Sequence, residues 1–134
     1  MNVYSTAVTV NVMEEIYRVT ERPIIVGEFH FGVPGRGLAP GLVQVRDQAE
    51  RGVAYRYYVE QAASFPAFIG SSWFQWVDQP STGRMDGENY NIGLVDVTDR
   101  PYPELIEAMK TTHRRLQGVH AGTTAPFDVK PRAQ

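Results

Sequence analysis

The sequence predicts an α/β protein with parallel strands. Strand-like and helix-like segments alternate along its 134 residues, and this order is typical of parallel strands joined by helical connections. The run from Ile24 to Val26 is apolar and β-branched, as expected of a strand that is buried on both faces. The run ends in a carboxylate at Glu28, at the kind of position where a parallel barrel presents catalytic groups.

The N-terminal part predicts a strand fragment, a helix, a strand and a loop. Residues 1–4 have the composition of a short strand. Apolar residues at spacings of three and four predict an amphipathic helix over 10–19, which must end before Pro23. The strand at 24–28 follows, and closely spaced glycines and prolines predict an irregular loop from about 31 to 41. Loops in this position usually line a functional site.

The longest helix is predicted from about residue 43 to residue 64. Charged residues are expected mostly on its polar sides, among them Arg51 and Glu60. Small residues such as Ala49 and Gly52 would allow the helix to lie close to a sheet. The predicted apolar face consists of Val45, Ala49, Val53, Tyr57 and Ala62.

A second strand and a long loop follow. The strand is predicted over 67–76, apolar at first and then polar and aromatic. It therefore repeats the pattern of the first strand, with functional side chains at its end. The loop covers 77–100 and contains an apolar piece at 92–95 that is expected to be extended.

The last helix has clear start signals. Asp99 or Thr98 is expected near its cap, and Pro101 and Pro103 stand at its entry. Its apolar face consists of Leu105, Ile106, Met109 and Leu116. The segment 118–134 is rich in Gly, Thr, Pro and Ala and is expected to be a loosely held tail. One domain is therefore expected over residues 1–117.

Composition favours one soluble globular domain, or a piece of one, and a net charge of −2 indicates no nucleic-acid or membrane partner. No run of about 18 apolar residues predicts a membrane span. The N-terminus lacks a signal-peptide pattern, but the sequence assigns no compartment, since a cytoplasmic protein and a piece of a secreted enzyme are both compatible with it. Cysteine is absent, and His30, His113 and His120 lack metal-ligand spacing. Neither a metal nor another cofactor is therefore expected.

Two architectures fit this order, an open doubly wound sheet and a (β/α)8 barrel. No Gly-rich phosphate loop follows either strand, which counts against a nucleotide-binding sheet. The strand ends carry groups suited to carbohydrate, because aromatic faces stack on sugar rings and carboxylates and amides bind hydroxyls. These groups are Glu28, His30, Trp73, Gln75, Trp76 and Asp78. Simpler interpretations stay open: Glu28 as a loop cap or the partner of an arginine, and one tryptophan as a core residue.

Four motifs then carry a resemblance to a known family. They are Val26-Gly-Glu-Phe-His-Phe-Gly32, Arg51–Gln61, Trp73–Pro80 and Gly83–Asp96. Together they resemble the C-terminal part of a clan A retaining glycoside hydrolase, and they are most similar to the β-agarases of glycoside hydrolase family 50. The resemblance covers roughly residues 1 to 116. It implies a partial (β/α)8 barrel of about three βα units, equivalent to strands six to eight of the whole barrel.

The resemblance also implies roles for individual residues. Glu28 matches the nucleophile at the end of the seventh strand. Tyr4 matches a tyrosine of the sixth strand that hydrogen-bonds the nucleophile, and Trp73 matches the tryptophan beneath the cleaved sugar. The other residues expected to bind substrate, at the strand ends and in the last loop, are His30, Gln75, Trp76, Asp86, Glu88 and Asn89.

The general acid/base is missing from this pattern. A retaining mechanism needs two carboxyl groups about 5 Å apart, and in the family the second one belongs to an Asn-Glu pair of the fourth strand. No Asn-Glu dipeptide occurs in the sequence. Glu88 or Asp78 could replace it, but each also fits a simpler interpretation as a sugar-hydroxyl acceptor or a loop cap. Since a barrel needs eight strands and about 250 residues, most of it is absent here.

The sequence thus leaves three functional classes. The first is a retaining β-glycosidase, or its C-terminal half, that binds a β-linked oligo- or polysaccharide and is weak or inactive as an isolated chain. The second is a non-catalytic carbohydrate-binding or structural half-barrel that self-assembles. The third, a general α/β interaction domain, requires the four motifs to be coincidental. Unpaired strand edges favour a homo-oligomer.

Overall fold

A computed structural model describes residues 1–132 of the chain. Its elements are α1 (Val10–Thr20), β1 (Ile24–Phe29), α2 (Gln48–Ala63), β2 (Phe68–Trp73) and α3 (Pro103–His120). The two strands are parallel, so the predicted α/β class with parallel strands is confirmed. None of the helices in the described part of the chain combines the length and the apolar character needed to cross a membrane. Residues 133 and 134, the end of the predicted tail, lie outside the described residues.

The sheet brings three segments together at one edge. β1 and β2 pair as far as Phe29 and Trp73. On the other side of β1, the segment 1–3 runs parallel to it, with a bridge between Asn2 and Glu28. Because all three segments are parallel, their C-terminal ends and the loops that follow meet at the same edge of the sheet.

Only one face of the sheet is covered. On that face Phe29 stacks on Tyr58 of α2 with ring centroids 4.4 Å apart, and residues of all three helices join the same core. On the opposite face Ile25 and Ile69 are 51% and 66% exposed. The prediction that the first strand is buried on both faces is therefore wrong. Burial alternates over residues 24–27 instead, because the described chain packs nothing over the second face. A register shift before Phe29 then breaks the alternation, and Phe29 is buried.

α2 begins later than predicted. Asp47 caps its first turn and accepts a hydrogen bond from the Glu50 amide at 2.9 Å. The residues before this cap are not helical, and Gln44 forms a parallel bridge with Gly32 in the loop after β1. The cap and the bridge together hold the start of the helix close to the end of β1.

The buried face of α2 also differs from the predicted one. Ala49 is exposed, while Arg51 and Glu60, predicted on the polar sides, are fully buried. Gly52 lies against α3 and not against a sheet, since a Cβ at this position would be 2.9 Å from the Ala108 Cβ. Apart from the charged residues, the buried side chains of this helix are Ala54, Tyr55, Tyr58, Val59, Ala62 and Ala63.

α3 begins after Tyr102, so neither of the predicted caps precedes it directly. It continues to His120, which lies within the segment predicted as a tail. Residues 121–132 have no regular structure, yet they contact the helices. The backbone amide of Phe127 donates to the buried Glu60 carboxylate at 3.0 Å.

Candidate active site

Glu28 lies near the end of β1 and is hydrogen-bonded to Tyr4. The Tyr4 hydroxyl donates to Oε2 of Glu28 at 2.8 Å. Burial raises the pKa of Tyr4, and the hydrogen bond and charge of Glu28 and the charge of Glu88 raise it further. The phenol therefore remains a proton donor at neutral pH. The resemblance implies this contact, while the catalytic roles of the two residues stay predictions.

His30 lies beside Glu28 but is covered by its neighbours. The two side chains are two positions apart in extended chain and therefore point to the same face. His30 is only 1% exposed, its Nε2 accepts a hydrogen bond from the Leu42 amide at 2.9 Å, and its ring lies 4.8 Å from that of Tyr4. Burial lowers the pKa of His30 to about 4, so the imidazole is neutral at physiological pH. Its burial leaves no surface for the expected direct contact with substrate.

At the end of β2, the adjacent residues Trp73 and Phe74 contact different parts of the molecule. The strand ends at Trp73, three residues before its predicted end. Trp73 packs edge-on against Phe29 with ring centroids 5.3 Å apart, and its Nε1–H donates to the Ile92 carbonyl at 2.8 Å. Phe74 lies near His30 instead, with ring centroids 6.3 Å apart. Trp73 is therefore half-buried and packs against the core, which fits the simpler interpretation left open for one tryptophan, while Phe74 lies beside His30.

The next two residues differ in their surroundings. The peptide bond that precedes Gln75 is cis. The Gln75 side-chain amide donates to the Val77 carbonyl at 2.8 Å and so supports the start of the following loop. Trp76 is 68% exposed, while its backbone carbonyl accepts a hydrogen bond from the Leu94 amide at 2.8 Å. Trp76 is thus an exposed aromatic surface on an anchored backbone, suited to stacking on a ligand.

A buried polar network supports the loop after β2. Asp78 is 3% exposed and accepts hydrogen bonds from the Gly93 amide (2.7 Å), the Asn91 side chain (2.7 Å) and the Tyr102 hydroxyl (2.5 Å). Arg51 of α2 donates to the Gly93 carbonyl at 2.7 Å. Burial and the bond to Asp78 raise the pKa of Tyr102 to about 12. Asp78 therefore fits the simpler interpretation, that of a loop-capping carboxylate.

Glu88 and Arg84 form the charged part of the site. Glu88 accepts a hydrogen bond from the Gln79 side chain at 2.8 Å and lies 3.5 Å from Arg84. The Arg84 guanidinium is 5.9 Å from the centre of the Phe74 ring. Phe74 in turn contacts His30, so this loop lies beside the His30 side of the site, and the charge of Glu88 contributes to the raised pKa of Tyr4.

Asp86 and Asn89 belong to the same loop and lack a contact with Glu28 or Tyr4 among the bonds of residues 1–132. Asp86 pairs with Arg84 at 2.9 Å. The Asn89 side chain lies 3.5 Å from the Gly37 carbonyl, a distance too long for a strong hydrogen bond. Asp86 is therefore exposed but engaged by Arg84 and by the Glu88 amide, while the long contact to Gly37 leaves the Asn89 amide able to bind a ligand.

Sequence reasoning missed Phe74 and Tyr90. The Tyr90 ring lies 6.3 Å from that of His30, which also contacts the Tyr4 ring. Both residues stand inside the motifs that carry the family resemblance, which is the one signal that could have identified them. Local pattern could not choose between Trp73 and Phe74, since both are aromatic and adjacent.

The chemistry of this arrangement is that of one oriented carboxylate. A rigid strand end and a phenol hydroxyl fix Glu28, which can act as a nucleophile or accept a sugar hydroxyl. The nearby Glu88 is already engaged by Arg84 and Gln79. Both partners would have to release its carboxyl group before it could act on a leaving group. The described residues therefore supply half of a carboxylate pair.

Two curated relatives are similar to this chain in sequence. Beta-agarase B from Vibrio sp. (strain JT0107) is 48% identical over 92 residues, which cover 67% of this chain and 10% of the relative. Beta-agarase A from the same strain is 41% identical over 100 residues, which cover 73% of this chain and 10% of the relative. The chain therefore spans about a tenth of the length of these relatives. No protein-family model matches it.

A solved structure is similar to this chain in fold. The structure, described as that of an exo-beta-agarase, matches with a TM-score of 0.82 at 39% identity, over 89% of this chain and 16% of that one. Sequence and fold thus agree that the chain resembles one part of a family 50 β-agarase.

Proposed function

We propose that this chain is the nucleophile-bearing part of a retaining β-glycosidase that acts on a β-linked galactan of the agarose type. The hydrogen bond from Tyr4 to Glu28 carries the proposal, because it fixes a carboxylate at the C-terminal edge of parallel segments. Catalytic groups of a (β/α)8 barrel lie at this edge. The relatives, both named as β-agarases, support the substrate class.

The segment 1–3, β1 and β2 would then be strands six, seven and eight of a clan A barrel. Their parallel pairing in chain order supports this assignment. So does the exposed face that carries Ile25 and Ile69, because the inner face of a barrel strand is normally covered by the other strands. The barrel domain is proposed to cover at least 1–117, and the predicted tail begins later than 118, because α3 continues to His120 and residues of 121–132 bond to α2.

In the proposed mechanism Glu28 attacks the anomeric carbon and forms a covalent glycosyl-enzyme intermediate, which water then hydrolyses. Tyr4 donates to one carboxylate oxygen and leaves the other free to attack. A second carboxyl group about 5 Å away must protonate the leaving oxygen and later activate the water. Since Glu88 is already held by Arg84, we assign the acid/base role to a carboxyl group outside this chain.

Substrate contacts are proposed for the exposed side chains of the site. Trp76 would stack on a sugar ring, while Asp86, Glu88 and Asn89 would accept or donate hydrogen bonds to hydroxyls. The buried His30, the half-buried Trp73 and Gln75, which braces the loop, would act indirectly, by holding the strand ends in place.

A non-catalytic role is the second candidate. In this alternative the chain is a carbohydrate-binding half-barrel that self-assembles and does not turn over its ligand. The exposed Trp76 and the arginine-bound state of Glu88 favour it, because both fit binding better than acid catalysis.

A matched set of assays separates the two candidates. The purified chain would be given an activated aryl β-galactoside and agarose oligosaccharides, with external azide to release a trapped intermediate. Glu28→Gln would be compared with Glu15→Gln, an exposed carboxylate on α1. We expect weak turnover of the aryl glycoside, abolished by Glu28→Gln and unchanged by Glu15→Gln. Oligosaccharide turnover should be slower by a factor on the order of 10²–10⁴, since leaving-group protonation is missing.

Each other outcome has a clear meaning. Oligosaccharide binding without turnover of either substrate would favour the binding module. Hydrolysis retained in Glu28→Gln would exclude Glu28 as the nucleophile. Rapid turnover of unactivated oligosaccharide by the 134-residue chain would show that it holds a complete carboxylate pair.

A further inference from the structure

His30 contacts two other parts of the site through its imidazole. The Leu42 amide donates to Nε2 at 2.9 Å, which requires a lone pair there and assigns the proton of the neutral ring to Nδ1. Nδ1 is buried and lacks a hydrogen-bond partner of good geometry among the described residues, although it faces the Phe74 backbone. A buried polar atom of this kind in a native structure calls for an explanation.

The loop after β1 is shaped to reach this imidazole. Gly41 has φ of +78°, in the left-handed region that favours glycine. A Cβ at position 41 would lie 2.7 Å from Nε2 of His30 and 2.9 Å from Cγ2 of Ile92. Glycine is therefore needed both for the backbone conformation and for the close approach that brings Leu42 to the ring.

The same imidazole supports Tyr4. The two rings lie 4.8 Å apart at an angle of 57°, and Tyr4 donates to Glu28 at 2.8 Å. Because the phenol oxygen is rigidly attached to its ring, a shift of the ring moves the hydrogen-bond donor away from the carboxylate by a similar distance. The His30 ring is thus placed to affect the hydrogen bond from Tyr4 that orients Glu28.

We propose that His30 is a positioning residue: its neutral imidazole holds the Tyr4 ring in place beneath Glu28 and, through Leu42, fastens the loop after β1 to the site. Its consequence for catalysis rests on the proposed glycosidase function. The contacts of His30 with Tyr4 and Leu42 need no substrate, so they can be tested separately from catalysis. An active-site hydrogen bond that depends on a supporting group of this kind is expected to loosen when the support is removed.

The first test uses the wild-type chain. Long-range ¹H–¹⁵N correlation of the His30 ring should show the neutral tautomer with its proton on Nδ1 at pH 7. The Leu42 amide should exchange with solvent at least about tenfold more slowly than an unprotected amide, the effect expected of one hydrogen bond. A proton on Nε2, or a Leu42 amide without protection, would overturn the proposal.

The second test compares His30→Leu with His30→Gln, since glutamine can keep an acceptor near the position of Nε2. In His30→Leu we expect Leu42 exchange to be about tenfold faster and the ¹³Cζ resonance of Tyr4 to move towards the value of an unbonded phenol. His30→Gln should restore the protection of Leu42 to within about threefold, given the context dependence of such bonds. A Tyr4 resonance unchanged in a folded His30→Leu chain would show that His30 does not position Tyr4.

A third test measures the turnover of the aryl glycoside by the same variants. If turnover is detected, kcat should fall in His30→Leu with little change in KM, because the loss concerns orientation of the nucleophile and not binding. If the wild-type chain shows no turnover at all, the glycosidase proposal loses support, whereas the resonance and exchange results still decide the role of His30.

Discussion

Glu28 is oriented by Tyr4, which is half-buried, and Tyr4 in turn packs on the buried His30. Tyr4 donates to Glu28, and His30, 1% exposed, lies against the Tyr4 ring. Directly after β2, the aromatic side chain that lies near this cluster is Phe74, while Trp73, the last residue of the strand, packs against the core. At the scale of single residues, the Glu28 carboxylate is therefore supported by uncharged aromatic and imidazole side chains.

The buried neutral state of His30 predicts a pH dependence of stability. Its pKa in the folded chain is lowered to about 4, below the unfolded value of about 6.5. Between these values the unfolded chain binds the proton and the folded chain does not, so the free energy of unfolding should fall as pH is lowered from about 6.5 to 4, by up to about 3 kcal/mol. Urea unfolding at several pH values, compared with His30→Gln, isolates this contribution. Equal losses in the two proteins would contradict it.

The two tryptophans should respond differently to truncation. Trp73→Ala removes a half-buried ring that packs against the core and should lower the free energy of unfolding by about 2–4 kcal/mol, somewhat less than for a fully buried ring. Trp76→Ala removes an exposed ring and should change it by less than about 0.5 kcal/mol, while weakening any binding of agarose oligosaccharides. Urea unfolding and oligosaccharide titration would be run on both variants. A large stability loss in Trp76→Ala, or none in Trp73→Ala, would reverse our placement of these rings.

At the scale of elements, buried charges and close helix contacts connect the site to its support. Arg51 of α2 reaches the carbonyl of Gly93 in the loop after β2 and that of Phe31 after β1, at 2.7 and 2.9 Å. Glu60 accepts hydrogen bonds from α3 and from the C-terminal segment. α2 is therefore the element that joins both strand-end loops to the rest of the chain.

The contact between α2 and α3 predicts a sensitive glycine. An alanine at Gly52 would place its Cβ 2.9 Å from the Ala108 Cβ and 3.0 Å from the Glu104 carbonyl oxygen. We expect Gly52→Ala to lower the free energy of unfolding by about 1–3 kcal/mol through overpacking, despite the higher helix propensity of alanine. Ala108→Gly added to Gly52→Ala should recover part of the loss in a double-mutant cycle. Stabilisation by Gly52→Ala alone would show that the helices can separate freely.

At the scale of the whole molecule, the chain has one covered and one uncovered sheet face. Ile25 and Ile69 are exposed on the uncovered face. Within residues 1–132 the outer edges of β2 and of the segment 1–3 have no further strand partner. Exposed edges and apolar faces of this kind are where chains associate.

We therefore expect a homo-oligomer in solution. Sedimentation velocity at micromolar concentration should show species larger than the 15.0 kDa monomer. Ile69→Lys should shift the distribution towards monomer, because a charge on the uncovered face opposes its burial. Val97→Lys, an exposed loop position, is the matched control and should leave the distribution unchanged. A well-folded monomer of the unmodified chain would contradict the expectation.

The sequence by itself determined the α/β class, the order of the elements and the position of Glu28 near a strand end, since hydrophobic period, proline and glycine are local signals. It did not determine which side of the chain each residue occupies. Local pattern assigned Arg51 and Glu60 to the polar sides of α2, although both are buried, because their partners come from distant segments. Strand pairing likewise decides which of Trp73 and Phe74 packs against the core. A shift of one residue exchanges the two faces of a strand, and only the tertiary contacts of β2 fix that register.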